Sequence, residues 1–565
     1  MNKRFKKYAF ISIIIVSLMF SINISVYSAG YCFPQENDEN LKSKEKDNYT
    51  LKMASAWIKF TDEDYYGALR IYRELYKTNK DDATLNFRMG QCFVELLEMD
   101  TALFHLQNAF IKDSLVDDEL YFYMGQAYQY LGALDKAIDS YYKFKLKLSP
   151  RQNERHIVNT YLRQCHTAKE LMENPVNVKV TNLGPNINSK YTDACPSLSA
   201  DGKTLIFTSR RSENTGGKID PYVEEYYDDV YYSTWNNETK SWNPAKNIGA
   251  PINTEGHDAN MSISPDGSTI FIYKSIPGVT RSGDIWISEK DATGNWSEPK
   301  PFAKDDKYIN SSYFESSACI TDDGKTLYFV SERERGGFGN GDIYVSHKEG
   351  KEWSKPENLG PVINSEGDEI GVFIHPDGKT LFFSSDGHNS MGGHDIFMSV
   401  YENGAWSTPV NLGYPINTTR EEIHFVFSTD RSTAYLSSSR ENGYGKMDIY
   451  AVDMRYYFKN NKNIDDNIAA TITGPPLAIL KGTVVDAETS QPVSANIIIK
   501  NLEDNKTKIT SSNEKGEYFI TLPADQKYEI TVRNKNYKDL VVKFKLPKNE
   551  GETPTMIKHL FLNKK

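Results

Sequence analysis

The sequence predicts a multidomain protein of the α plus all-β class: helical repeats, then a five-bladed β-propeller, then a small C-terminal β-sandwich. Three observations carry that reading. A phrase recurs at Asn182-Leu183-Gly184, Asn247-Ile248-Gly249, Asn358-Leu359-Gly360 and Asn411-Leu412-Gly413, each time followed by Ile-Asn (Ile187-Asn188, Ile252-Asn253, Ile363-Asn364, Ile416-Asn417). Ahead of it, residues 51–172 have helical patterning and repeat small residues every 34 or 35 positions. Behind it, residues 479–565 hold short alternating stretches separated by turn residues. Self-similarity at a fixed period means stacked units, each too small to bury its own apolar face.

The chain has 565 residues, long enough for several domains. Aromatic residues make up 12%, too many for a disordered chain. A net charge of -10 argues against a nucleic-acid partner. The last segment runs the other way, with 15 Lys and Arg against 11 Asp and Glu from Lys481 onward, and reads as a solvated basic face. At the N-terminus, Lys3, Arg4, Lys6 and Lys7 precede an apolar run from Ala9 to Phe20, and Ser28, Ala29 and Gly30 follow it. Residues 1–30 thus read as a secretory signal peptide, the run being short of the ~20 residues that span a bilayer. Cys32 lies close by, but a lipidated Cys needs a small residue before it and Tyr31 is bulky, which argues against lipidation. The cysteines Cys32, Cys92, Cys165, Cys195 and Cys319 form no Cys-x-x-Cys pair, so no zinc or redox motif is expected. Residues 31–50, polar and charged, read as a linker.

Within residues 51–172, Ala56, Gly90 and Gly125 share one repeat position, and Ala68, Ala102 and Ala137 another. Tyr72, Leu106 and Tyr141 follow four residues after those alanines, and Phe93 and Tyr128 three after the glycines. Small residues let two antiparallel helices approach, and large ones fill the next layer. A helical Gly costs about 1 kcal/mol relative to Ala, so two at one repeat position mark close packing. The period and these residues resemble the tetratricopeptide repeat, with Arg151 to Leu171 as a capping helix.

Residues 176–456 read as the propeller. Asp201-Gly202, Asp266-Gly267, Asp323-Gly324 and Asp377-Gly378 are hairpin turns between apolar runs, with Asp430-Arg431 as a degenerate fifth. Asp229-Val230, Asp284-Ile285, Asp342-Ile343, Asp395-Ile396 and Asp448-Ile449 each open a strand. Trp296, Trp353 and Trp406 begin Trp-Ser-x-Pro segments, Trp242 sits in a variant copy, and their fixed place in the repeat assigns them to blade cores. Five copies suggest five blades, a sixth degenerate blade being the alternative. The last copy lacks its outer strand, and the alternating Val176, Val178 and Val180 are expected to supply it. Residues 457–478 read as a linker ahead of the sandwich at 479–565.

The middle segment resembles the WD40-like propeller repeat, through Ser264-Pro-Asp-Gly267, Asp377-Gly-Lys-Thr380 and the Gly-Asp-Ile pairs at Gly283 and Gly341. The last resembles the carboxypeptidase regulatory-like domain, through Gly482 to Asp486, Thr489 to Pro492, Gly516 to Pro523 and Tyr528 to Val532. Export signal, tetratricopeptide repeats, propeller and regulatory-like domain in that order resemble the PorE-type periplasmic components of the Bacteroidetes type IX secretion system. The family typically continues into an OmpA-like domain that binds peptidoglycan, a pattern not seen before Lys565. The resemblance therefore implies a non-catalytic periplasmic scaffold associated with the outer membrane. Its implied partners are a PorP/SprF-like barrel protein or other secretion and gliding components, with indirect association to peptidoglycan. The alternative is a cell-wall or carbohydrate-binding envelope protein.

No enzyme is expected. The chain has no Gly-x-Ser-x-Gly elbow and no His-Glu-x-x-His motif. His388 and His394 flank Met391-Gly392-Gly393 but read as a solvent-facing loop, so neither metal nor cofactor is expected. The candidate partner surfaces are the concave face of the helical repeats, offering Asn86, Gln91, Tyr121 and Gln126, and the loop Ser331 to Asn340, offering Arg333 and Arg335.

Overall fold

The computed structural model describes residues 38–565 apart from 156, 276–282, 292, 304–307, 334, 351, 459–460 and 462–473. Residues 1–30, expected to be a signal peptide, and Cys32 lie outside the described residues. Among the described residues, no helix is long and apolar enough to cross a membrane.

Within the described residues eight helices come first: α1 (Asp38–Thr61), α2 (Tyr65–Tyr76), α3 (Ala83–Glu95), α4 (Met99–Lys112), α5 (Leu120–Tyr130), α6 (Leu134–Lys145), α7 (Pro150–Arg155) and α8 (Val158–Glu173). The linker expected over 31–50 is corrected here. Residues 38–50 belong to α1, a stretch without Gly or Pro and rich in Glu and Lys, which favour helix. Tyr49 ties it to the next repeat, its Oη donating to Asp82 at 2.8 Å. Asp82 also caps α3, accepting from Leu85 N at 2.8 Å, as Asp64 caps α2 through Gly67 N. Gly90 lies against Leu106 and Gly125 against Tyr141, with Ala102 and Ala137 fully buried beside them.

Among the described residues, five antiparallel sheets of four or five strands follow, with one further two-stranded ribbon, Ile219–Asp220 with Glu225–Tyr226. Their first strands are Asp193–Leu198, His257–Ile263, Glu315–Ile320, Glu369–Ile374 and Glu422–Phe427, and their second strands follow the Asp-Gly turns. Each glycine of those turns has φ between 67° and 74°, and Arg431 takes 61° in the fifth copy. Successive first strands pack side by side, and the fifth packs on the first. Lys179–Asn182 pairs with Asp448–Asp453, so the segment after Val178 adds the outer strand of the fifth sheet as expected. Tryptophans fill the seams: Trp242 meets Tyr435, Trp353 meets Phe302, and Trp406 meets Tyr328, at ring separations of 5.9, 5.2 and 6.1 Å.

The recurring asparagines are staples. Asn417 Oδ1 accepts from Ile396 N, and its Nδ2 donates to Ile396 O and to Asn411 Oδ1, at 2.8, 2.9 and 2.8 Å. Asn411 in turn accepts from Gly413 N at 2.8 Å and donates to Asp395 at 2.8 Å. Asn188, Asn253 and Asn364 repeat this on Ile449, Val230 and Ile343. A fifth copy, Ile309-Asn310, staples Ile285 without an Asn-x-Gly ahead of it.

The C-terminal domain is a β-sandwich. One sheet holds Leu477–Asp486, Glu517–Pro523, Thr555–Ile557 and Leu560–Leu562; the other holds Asn496–Asn501, Thr507–Ser511, Lys527–Arg533 and Leu540–Lys545. Leu480, Ile497, Ile520, Tyr528 and Ile530 meet in its core. The linker expected over 457–478 is shorter at both ends, because Tyr457 is buried against Leu412 and Ala478 is fully buried in the sandwich.

Both flanking domains dock on the sheets, at opposite strand ends. The loops that lead into a first strand and out of a second lie at one end, and the Asp-Gly turns lie at the other. At the first end, Gln164 Nε2 donates to Ser390 Oγ and Asp386 O at 2.9 and 3.1 Å, Tyr130 Oη donates to Ser439 Oγ at 2.9 Å, and Met391 is fully buried among helical side chains. At the turn end, Asp322 accepts from Lys508 Nζ, Thr521 N and Thr521 Oγ1 at 2.8, 3.0 and 2.8 Å. Asp322→Ala is expected to weaken this dock by about 1–3 kcal/mol, because Thr521 N–H loses its acceptor. Calorimetry should then resolve a separate melting step for the C-terminal domain.

Candidate functional site

The buried polar layer of the sheets decides which candidate residues are free to act. Each first strand carries a buried carboxylate at its first or second residue: Asp193, Asp258, Glu315, Glu369 and Glu422. Each accepts a hydroxyl four residues upstream, from Ser189, Thr254, Ser311, Ser365 and Thr418. A cation from the end of the second strand or the loop after it faces four of them: Arg211, Lys274, Arg333 and Arg440, at 3.0, 2.7, 3.2 and 3.3 Å. The fourth sheet has His388 instead, 3.9 Å from Glu369. The same groups donate to the carbonyls of the Ile-Asn segments: Arg211 to Ile187, Lys274 to Ile252, Arg333 to Ile309, His388 to Ile363 and Arg440 to Ile416.

Arg333 is therefore corrected from a partner-binding residue to a member of this layer, held by Glu315 and by the carbonyls of Tyr308 and Ile309. Arg335 is exposed on its loop. Asn86 is corrected likewise. It is fully buried, Oδ1 against His105 Nδ1 at 2.9 Å and Nδ2 donating to Lys80 O and Asp82 O. Gln91 is also buried and accepts from Arg88 Nη1 at 2.7 Å. Gln126 is half-buried and donates to Tyr161 Oη at 2.9 Å. Tyr121 is half-buried, and its ring meets Phe110 at 5.9 Å while Lys143 and Lys147 stand over it at 5.7 and 5.6 Å. The sequence reading missed Phe110, Lys143 and Lys147. Leu115 and Leu146, 79% and 87% exposed, lie on the two segments that the Lys147–Asp118 ion pair ties together.

Burial without a full cation raises Glu369 to about 7, although Ser365 and Ser385 donate to it. A carboxyl raised in the fold stabilises it fully below the ordinary 4.5, and that stabilisation is lost as pH rises through about 7. Glu369→Gln is expected to flatten the fall in unfolding midpoint between about pH 5 and about pH 7, read by thermal melts across that range. Above this layer two histidines bridge carboxylates. Burial works against a charge on His394, but the 2.8 Å bond to Glu421 outweighs it and lifts the imidazole to about 9. For the half-buried Asp228, desolvation works against the charge, but Arg210 and His257 at 2.7 Å each hold the carboxyl down to about 2. His394 is half-buried, and His388, an exposed residue as the sequence suggests, turns its ring inward onto the Ile363 carbonyl, so both histidines serve as structural groups. Among the described residues, no group of three or more His, Cys, Asp or Glu is arranged to hold a metal ion. Between the five first strands lies a cavity of about 30 Å³, lined among others by Ser197, Met261, Cys319, Gly371 and His424.

Residues 479–557 match the family described as the carboxypeptidase regulatory-like domain. No curated protein matches the chain. Solved structures similar to parts of it include the type III secretion translocator chaperone SycD of Yersinia enterocolitica, at 16% identity over 22% of this chain and 88% of that one, TM-score 0.20. TolB of Acinetobacter baumannii is 14% identical over 54% of this chain and 70% of that one, TM-score 0.29. The GH32 beta-fructofuranosidase BmSUC1 of Bombyx mori is 10% identical over 68% and 94%, TM-score 0.31.

Proposed function

We propose that this protein is a non-catalytic scaffold of the cell envelope. In this reading it is exported to the periplasm, associates with the outer membrane, and binds protein components of a type IX secretion or gliding machinery. The helices are read as tetratricopeptide repeats. The five sheets, with the fifth packed on the first, are read as a closed five-bladed propeller. The order of modules and the regulatory-like domain at 479–557 support the resemblance to PorE-type components.

One observation carries the binding role. The helical domain keeps large apolar side chains in water around Tyr121, with Leu115 and Leu146 the most exposed, after its other face is spent on docking. Exposed apolar patches rimmed by charge mark protein contacts, and a half-buried aromatic with two lysines suits an anchor for a partner with aromatic or acidic groups. No cofactor enters this reading.

The test is affinity purification of the tagged protein from crosslinked envelopes, wild type beside Tyr121→Ala and Leu146→Asp, read by mass spectrometry. Recovery of an outer-membrane barrel or other secretion components, lost in the variants, is the expected result. Retention of peptidoglycan or glycan with no protein partner would overturn the scaffold reading in favour of a wall-binding protein.

A further inference from the structure

Three loops of the sheets repeat one device. In the third, fourth and fifth sheets the third strands are Asp342–Glu349, Asp395–Glu402 and Asp448–Asp453. Four residues before the aspartate that opens each of them stand Phe338, Met391 and Tyr444. Each donates its backbone N–H to that aspartate, at 2.8 Å to Asp342, 2.6 Å to Asp395 and 2.6 Å to Asp448. A glycine follows each one: Gly339, Gly392 and Gly445. These lie against Gly367 O, Thr419 O and Tyr191 O, carbonyls of the loop that enters the next first strand, and no Cβ would fit there. A large side chain is thus held out on a fixed backbone three times over.

The fourth sheet shows what can seat such a side chain. Met391 has no exposure and shares one apolar cluster with Phe122 of α5, Tyr141 of α6, and Leu162 and Cys165 of α8. Side-chain amides hold its loop: Gln129 Nε2 donates to Met391 O at 3.4 Å, and Gln164 Nε2 to Ser390 Oγ at 2.9 Å. The seat is an apolar pocket between packed helices, with amides at its rim. Tyr444, 50% exposed, stands beside the same domain, because Lys446, two residues on, donates to Tyr66 Oη of α2 at 2.9 Å. Phe338 is 46% exposed. Its loop is bonded through to the edge of the dock: Asn340 N donates to Gly367 O at 3.1 Å, Asp368 N donates to Asp386 Oδ1 at 2.7 Å, and Asp386 O accepts from Gln164.

We propose that Phe338 is a second docking plug, and that its occupant is a packed pair of helices in a different protein, with an apolar pocket and side-chain amides at the rim. The inference rests on the scaffold reading and adds a second surface to it. The seat of Met391 is the template for the seat of Phe338. A second copy of this chain cannot supply that pocket, because its own Met391 fills it. The ring of Phe338 leaves water only on binding, which favours association in proportion to the apolar area covered. Its backbone is already fixed, so binding need not order it. Aromatic anchors in desolvated pockets dominate contacts between proteins, and the exposed Glu332 and Arg335 on the same loop give this one a charged rim.

The full chain carrying the photocrosslinker as Phe338→p-benzoylphenylalanine is irradiated in intact envelopes, and the linked peptides are sequenced by mass spectrometry. The link is expected on a helix of a different protein, in a region built of antiparallel helix pairs. Capture of that protein should fall about tenfold in Phe338→Asp and hold in Phe338→Met, since methionine fills the seated position of the fourth sheet. The crosslink does not depend on the folding of Phe338→Asp, so a failed variant does not leave the question open. A link to a strand, a glycan, a lipid or a second copy of this chain would overturn the proposal, as would no link at all. Capture lost in Tyr121→Ala but unchanged in Phe338→Asp would keep the scaffold reading and remove this one.

Discussion

Arg333→Ala is expected to destabilise the sheets by about 3–5 kcal/mol, the cost of removing one member of a buried ion pair, while Arg335→Ala changes stability by under about 0.5 kcal/mol. The two residues stand two apart on one loop and look alike in the sequence. Arg333 lies against Glu315, which has no exposure and is left in the variant with only hydroxyl and backbone donors. The guanidinium also holds two carbonyls of the segment that contains the Ile309-Asn310 staple, so the loss spreads to the neighbouring strand. Its ring contacts with Phe329 and Tyr344 go as well. Arg335 has no such role on its exposed loop. Urea unfolding of the two variants measures the difference directly, and equal midpoints would show that the buried layer contributes nothing.

The same layer shows what the sequence could and could not disclose. The Asn-x-Gly and Ile-Asn phrases were readable as a repeat because each staple is local: Asn411, Gly413 and Asn417 serve one strand within 22 residues. The hydroxyl-to-acid step, Ser365 to Glu369 for example, is equally local and recurs five times, and a search for it would have found the fifth copy at Ile309. The cations were harder. They come from near the end of the next strand, vary between Arg, Lys and His, and acquire meaning only once the acids are known to be buried. Asn86 and Gln91 failed for a related reason. On one helix a polar residue beside a glycine looks free, and only the neighbouring helix, which brings His105 to Asn86, turns it into core.

Gly125→Leu is expected to abolish the folded helical domain, where Gly125→Ala costs about 1–3 kcal/mol as an overpacked site. An added Cβ would sit 2.5 Å from Tyr141 Cε1 and 2.6 Å from its Cδ1. The obstacle is a ring, not a flexible chain end, and it has nowhere to go. Tyr141 is fully buried, stacks on Tyr161 at 5.6 Å, and donates through Oη to Gln129 at 2.8 Å. Gln129 donates in turn to Gln164 and to Met391 O, so a displaced Tyr141 disturbs the dock on the sheets. Far-UV circular dichroism should show the helical signal reduced while the sheets and sandwich persist; full helicity in Gly125→Leu would mean that the close approach of α5 and α6 is not needed. The variant also sets the standard for the surface test. Tyr121→Ala removes a half-buried ring from the edge of the cluster that holds Tyr141 and leaves the Tyr141–Gln129 bond in place, so partner capture lost there with helicity intact locates a contact on the surface, whereas capture lost in Gly125→Leu says only that the helices must be folded.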